Sequence, residues 1–512
     1  MVEQVLCPLC SSDLSAVESL ELRTEHVEQC MVASDARLAS IEQARENGTE
    51  ANQDGEPEDA TEMVNAPSDS DSVICVDENE ENGPEESDGD RKDVASPIVV
   101  QTVDVHTRSA SLKRVISSVE ERPAKRVEVA TSVRAEKRSC PWYKLVQIDH
   151  RKIGVDAFSY GPIAGVDTFF LTHFHSDHYG GLSKSWAHGI IYCSGSTSRL
   201  IQRHLKVNPD YIREIELDEW TNVDGIDVLF LDANHCPGSV IIAFRDSGGR
   251  TIVHTGDFRA CETHVDQLQK YLGNCPIDLV YLDTTYLDPS HCFPSQTSVT
   301  TTCAKYCQRL RDDGIVTSGP SILKFFGAQA NREAYRPLVL VGTYTIGKER
   351  LAVEIAKALD TKIFAGRSKK DTILTIGDQS LTDMMTDDGW NSAVHLVSMR
   401  DVTFERMEEY FRPLKKRFTH LVAFVPTGWT YHASKKEIAE VELEPKARPF
   451  GIPDLEKSRQ IRGRMQLFRV PYSEHSSFVE LKHFCTSLPV RKFIPTVMGN
   501  KQMDYWLQKW TR

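Results

Sequence analysis

In LTHFHSDHYGGL, His173, His175, Asp177 and His178 occupy six consecutive positions behind the apolar run FFL. Alternate side chains of a loop leaving a strand can converge on one point, and Gly180 and Gly181 permit the tight backbone that follows. Imidazole and carboxylate donors without thiolate suit Zn²⁺, with Mn²⁺ or iron as alternatives. A surface histidine cluster is the bland reading, and four donors in so short a space weigh against it.

More donors follow at later strand ends. IDVLFLDANHCPGS runs into His235, and TIVHTGDFR runs into Asp257. Earlier, GVDAF offers Asp156, a carboxylate suited to accept the second N–H of a liganding imidazole and fix its orientation. LVYLDTTYLDP brings Asp283 to another strand end, VPYSEHSSF brings His475 between hydroxyl residues, and KFIPTVMGN brings Val497.

The elements that must hold these groups are apolar strands alternating with turns and helical periods. FFLT, IDVLFLD, SVIIAFRD, TIVHTGD and LVYLD read as strands, and LVLVGTY precedes the amphipathic helix KERLAVEIAKAL. The pattern is mixed α/β, with polar residues gathered where such folds place their chemistry.

At 512 residues the chain exceeds one ordinary core, so several folded units with linkers are expected. Its net charge of −14 is unevenly spread: residues 1–139 hold 31 acids and 14 bases, leaving 43 acids against 46 bases beyond them. The acidity therefore belongs to the N-terminal region and does not exclude nucleic acid as a partner of the rest. Thirteen cysteines without a secreted-type framework, and no signal-peptide plan, point to a reducing intracellular compartment. No apolar stretch approaches the about 20 residues of a membrane helix, so a soluble protein is expected.

Residues 1–32 contain Cys7, Cys10, His26 and Cys30, a CxxC knuckle and an HxxxC pair able to share one tetrahedral Zn²⁺. Glu18, Glu21, Glu25 and Glu28 make that island a poor reader of DNA. It resembles the small ubiquitin-binding zinc fingers of repair proteins, with Glu28 where those usually place an aspartate that contacts ubiquitin. Residues 33–138 are rich in Glu, Asp, Ser, Asn and Pro and read as a disordered acidic linker. Within it Val73, Ile74, Cys75 and Val76, set among acids and serines, resemble a SUMO-interacting strand. Lys113, Arg114 and the run Arg122–Arg126 offer a bipartite nuclear signal.

HxHxDH, a later His and a later Asp, each at a strand end, resemble the metallo-β-lactamase fold, a four-layer αββα sandwich. The resemblance implies His173, His175 and His235 on one zinc, Asp177 and His178 on a second, and Asp257 between them. Asp283, His475 and Val497 match motifs of the β-CASP branch, whose members cut nucleic acids and carry an α/β cap inserted late in the fold. The resemblance thus implies a first lactamase part at 139–295, a cap at 296–466 and a last lactamase part at 467–512. RNA-processing members keep a histidine where Val497 stands, and DNA-specific members have valine. The whole run is similar to DNA crosslink-repair nucleases related to Artemis and Apollo, and the finger in front fits fungal and animal crosslink-repair members.

This resemblance implies a nuclear, monomeric 5′ to 3′ DNA exonuclease using one or two Zn²⁺ ions, acting on 5′-phosphorylated ends and recruited by ubiquitin. His475, oriented by Asp283, would protonate the leaving 3′ oxygen, and Asp177 and Asp257 would share in the chemistry. Thr285, Ser473, Ser476 and Lys348, the last beside Gly347 at a helix start, are candidates for the terminal phosphate. The alternatives are an RNA-processing endonuclease of the same branch and a catalytically silent adapter binding ubiquitin and SUMO.

Overall fold

The computed structural model describes residues 139–511, apart from 274, 315–334, 432, 444–447 and 498–500. The finger and linker, with Cys7, Cys10, His26, Glu28, Cys30 and the segment Val73 to Val76, lie outside the described residues.

Two sheets form the first unit. One contains β1 (Leu145–Ile148), β2 (Arg151–Val155), β3 (Thr168–Phe170), β4 (Ile190–Cys193) and β5 (Ile212–Glu214), in that spatial order. The other begins with β6 (Trp220–Val223), β7 (Ile226–Asp232), β8 (Val240–Arg245), β9 (Thr251–His254) and β10 (Leu279–Leu282). Alternation along β7 explains the layering, because successive side chains of a strand face opposite ways. Val228 and Phe230 meet Val155, Phe170 and Phe244 between the sheets. Leu229 and Leu231 face outward onto helices Glu262–Leu272 and Phe478–Ser487, through Leu268 and Phe484. Phe169, Leu171 and Ile191 bury the other outer face under Trp186, Leu200 and Ile201. Helix, sheet, sheet, helix is the expected four-layer sandwich.

The cap is a seven-stranded sheet of β11 (Pro337–Thr343), β12 (Ile363–Ala365), β13 (Met385–Thr386), β14 (Val394–Ser398), β15 (His420–Pro426), β16 (Arg459–Arg462) and β17 (Met465–Val470). Its order is β13-β12-β14-β11-β15-β17-β16, parallel except for the β16–β17 pair. Helix Gln296–Asp313 opens the cap and packs into its core through Val299, Cys303 and Leu310. The expected cap limit at 466 falls inside β17, whose pairing with β15 continues to Val470. The chain then re-enters the lactamase sandwich and adds β18 (Phe493–Pro495), parallel to β10. Among the described residues no helix is long and apolar enough to cross a membrane.

Candidate metal centre

The centre forms where strands of like direction stop. β7 and β9 both pair antiparallel with β8, and β10 and β18 continue parallel to β9, so their carboxyl ends share one edge. His235 follows β7, Asp257 follows β9, Asp283 follows β10 and Val497 follows β18. β3 delivers His173 and His175 directly, and Asp177 and His178 on the short helix Ser176–Tyr179.

One nitrogen of each imidazole is committed elsewhere. Thr172 Oγ1 donates to Asp156 Oδ2 at 2.7 Å, so it accepts from His173 Nδ1 at 3.0 Å. His175 Nε2 donates to the Ile346 carbonyl at 3.2 Å, and His235 Nδ1 to the Glu474 carbonyl at 2.9 Å. His178 Nδ1 donates to Asp156 Oδ2 at 2.6 Å. These acceptors leave His173 Nε2, His175 Nδ1 and His235 Nε2 as lone pairs facing one space, the tautomers that metal ligation requires, and turn His178 Nε2 toward the same space.

Their spacing fits a shared ion. His175 Nδ1 is 3.0 Å from His173 Nε2 and 3.1 Å from His235 Nε2, while Asp257 Oδ2 is 3.7 and 3.9 Å from the latter two. Four ligands at zinc distances about a tetrahedral ion stand about 3.3 Å apart. A second set shares Asp257: His178 Nε2 is 3.2 Å from Asp257 Oδ2 and 3.4 Å from Asp177 Oδ2. Asp177 Oδ1 is buried without a hydrogen-bond partner among the described residues. Lone pairs packed this closely repel, and an orphaned carboxylate oxygen beside them is costly, unless cations lie between. The residues present therefore fit a divalent metal.

The electrostatics agree. Burial, with the neighbouring imidazoles, holds His173 and His235 well below the ordinary imidazole range. Burial opposes charge on His178 too, but Asp257, Asp177 and Asp156 outweigh it and push its pKa well up. Three carboxylates around one imidazole are an anionic pocket, the complement of a divalent ion.

His475 stands at the edge of this cluster. Its Nδ1 lies 2.8 Å from Asp283 Oδ2 and its Nε2 is 3.9 Å from Asp257 Oδ2. Burial lowers the pKa of His475, yet Asp283 and Asp257 outweigh it and push it up to about 9. Asp283 is fixed in turn by Thr285, whose N–H and hydroxyl both donate to Oδ1, at 3.0 and 2.6 Å. Val497 has no donor side chain, and its carbonyl accepts from Thr284 Oγ1 at 2.9 Å, one residue beyond Asp283.

The expected phosphate ligands are drawn into internal bonds. Ser476 Oγ donates to the Phe258 carbonyl and accepts from Ala260 N, both at 2.9 Å. Ser473 Oγ accepts from His475 N at 3.0 Å. Lys348 is buried, its ammonium donating to the Pro426 carbonyl at 2.8 Å and its N–H to Glu474 Oε1 at 2.6 Å. The helix start at Gly347 and Lys348 is thus an anion site whose anion is the protein's own Glu474. Burial pushes the Glu474 carboxyl up to about 7.

Sequence reasoning missed Thr172, the carbonyls of Ile346 and Glu474, and Cys236, whose thiol lies within 4.8 Å of the donors of His173, His175 and His235. It also missed Arg259, buried beneath the His475 loop.

Comparison with known proteins accords with this geometry. Residues 156–313 match the beta-lactamase superfamily domain, and residues 379–501 match the DNA repair metallo-beta-lactamase family. The chain is 37% identical over 380 residues to the DNA cross-link repair protein SNM1 of Arabidopsis thaliana, covering 73% of this chain and 70% of that one. It is 37% identical over 400 residues to pso2/snm1 of Schizosaccharomyces pombe, covering 76% and 66%. Similarity to the 5′ exonuclease Apollo of Gallus gallus is 29% over 350 residues, 68% of this chain and 62% of the other. The chain belongs to the SNM1/PSO2 family of DNA cross-link repair proteins, DNA-repair nucleases built on the metallo-β-lactamase fold.

Proposed function

We propose that this protein is a zinc-dependent 5′ to 3′ DNA exonuclease that acts on 5′-phosphorylated ends during interstrand crosslink repair. The observation that carries the reading is the His475–Asp283 pair held 3.9 Å from Asp257, a proton donor beside the metal-binding donors. Similarity to a relative named as a 5′ exonuclease supports the direction of cleavage.

Zinc, when bound, supplies Lewis-acid charge at the scissile phosphate and makes water a nucleophile near neutral pH. His173, His175, His178, His235, Asp177 and Asp257 would hold it. Water's oxygen, having given one proton to solvent, bonds to phosphorus as the bond to the 3′ oxygen breaks; His475 Nε2 delivers the proton that the leaving oxygen needs and is reprotonated from solvent. Asp283 holds Nδ1–H, keeping His475 charged and aimed, as in other carboxylate–histidine pairs. Of the expected phosphate contacts Ser473 fits best, because its hydroxyl accepts from His475 N and keeps its own proton to donate, whereas both donors of Thr285 are given to Asp283.

A finger in which Cys7, Cys10, His26 and Cys30 would hold one Zn²⁺ and Glu28 would contact ubiquitin, and SUMO bound at Val73 to Val76, complete the proposal, with a nuclear location and a monomeric enzyme.

The test is digestion of labelled DNA and RNA oligonucleotides of one sequence, bearing 5′ phosphate or 5′ hydroxyl, with and without chelator. The expected result is chelator-sensitive cleavage of 5′-phosphorylated DNA, abolished by Asp257→Ala. Preferred cleavage of RNA, or full activity in Asp257→Ala, overturns the reading.

A further inference from the structure

The cap contains a cavity that the reaction above leaves unused. The winding of its parallel sheet reverses between β11 and β14. From β11 the chain crosses through helix Glu349–Leu359 to β12 on one side, and from β14 it crosses through helix Phe404–Phe411 to β15 on the other. These helices cover opposite faces: Leu351 and Ile355 pack with Val339 and Val341, Met407 and Phe411 with Leu338 and Leu340. Such a reversal opens a crevice at the carboxyl ends of the strands, the usual ligand position in open α/β sheets.

Here the crevice is a cavity of about 580 Å³, within the range of ligand pockets. The residues Tyr344, Phe364, Tyr410 and Met399 give it an apolar, ring-rich lining. Arg400 lines it as well, exposed and without a hydrogen-bond or ion-pair partner among the described residues. One wall is shared with the metal centre. Lys369 Nζ grips the carbonyls of Tyr344 and Thr345 at 2.7 and 2.9 Å, the next carbonyl, of Ile346, holds His175, and the Tyr344 ring is 6.4 Å from that of His175.

We propose that this crevice is a nucleotide subsite in which the rings take one unpaired base of the strand being cut and Arg400 takes an adjacent phosphate. Aromatic faces accept any base by stacking, and a guanidinium pairs with phosphate at the same step. The shared wall makes the occupant a neighbour of the scissile bond. The inference rests on the DNA-nuclease reading above.

The test walks a single abasic position along a 5′-phosphorylated single strand cut by the full chain. The expected result is a drop in kcat/KM of about tenfold at one position near the cut and no effect farther away. Arg400→Ala, and Ser398→Trp, which fills the crevice, each slow the intact strand by about that factor and erase the abasic effect. Methyl p-nitrophenyl phosphate, which has no base, is hydrolysed equally by wild type and both variants. A flat abasic walk with normal cleavage overturns the subsite alone; failure of the wild type to cut any DNA overturns the nuclease reading beneath it. Inhibition by deoxynucleoside monophosphate that Ser398→Trp abolishes, together with a flat walk, assigns the crevice to a free nucleotide and overturns the strand assignment. Should Ser398→Trp fail to fold, the surface variant Arg400→Ala decides the outcome.

Discussion

Arg259→Met should both weaken the fold and slow the reaction, and the structure says by how much. Arg259 is 2% exposed. Its Nη1 donates to the Ser473 carbonyl at 2.8 Å and its Nη2 to the Pro294 carbonyl at 3.1 Å, and its guanidinium lies 5.0 Å from the centre of the Phe293 ring. Nε is 2.7 Å from Glu480 Oε2, but its N–H is not aligned on that oxygen, so the contact is an ion pair without a good hydrogen bond. Methionine keeps the apolar stem and removes every donor. Two carbonyls lose charged donors, each about 1–3 kcal/mol, and the ion pair, with Glu480 partly exposed, adds about 1 kcal/mol. The sum, about 3–7 kcal/mol, has as its lower part the usual cost of breaking a buried pair, about 3–5 kcal/mol.

Pro294 and Ser473 flank the two chain crossings between lactamase sandwich and cap, and Ser473 is two residues before His475. The loss should therefore be local as well as global. Hydrogen exchange should accelerate at residues 473–477 before it does in β7 or β8, and kcat should fall with KM and zinc content unchanged. Arg259→Lys keeps a charge near Glu480 without the planar fork, so it should recover only part of the stability. Denaturation of Arg259→Met, Glu480→Gln and the double variant measures the coupling, expected at about 1–2 kcal/mol. Unaltered exchange at 473–477 together with wild-type kcat would refute the idea that Arg259 sets the position of His475.

Asp156→Asn tolerates the left-handed backbone at that position, φ 52°, yet replaces an oxygen that accepts from both His178 and Thr172. Zinc affinity, measured by competition with a chromophoric chelator, should fall about 10–100-fold, and an unchanged affinity would separate Asp156 from the centre. Lowered pH should destabilise the cap through His395, whose pKa burial lowers from 6.5 to about 4. With its folded value below the unfolded one, it contributes nothing above pH 6.5 and loses stability as pH falls from there toward 4, about 2 kcal/mol between pH 7.5 and 5. His395→Gln should show that much less acid sensitivity in denaturant titrations; equal sensitivity would rule out His395 as the source.

The candidate donors that the structure gathers were legible because donor chemistry is a property of side chains and because strand ends announce themselves. Apolar runs stop, polar residues begin, and His173, His175, His235 and Asp257 each sit at such a boundary. What holds those ligands was much less legible, because it is largely backbone. His175 is fixed by a carbonyl 171 residues away and His235 by one 239 residues away, and any residue supplies a carbonyl. No pattern of residue types marks such a contact. Lys348 shows the same limit from the other side. A glycine and a lysine at a helix start do describe an anion site, but whether the anion is substrate or protein depends on Glu474, 126 residues on. That carboxylate accepts from the cap through Lys348 N while the carbonyl of the same residue accepts from His235. The cap is therefore joined to the metal centre at two points, Ile346 on His175 and Lys348 through Glu474 on His235. A shift of the cap on substrate binding would move the acceptors of two imidazoles, so cap position and metal affinity are expected to be coupled, and by linkage the metal should change substrate affinity by the same factor that substrate changes metal affinity.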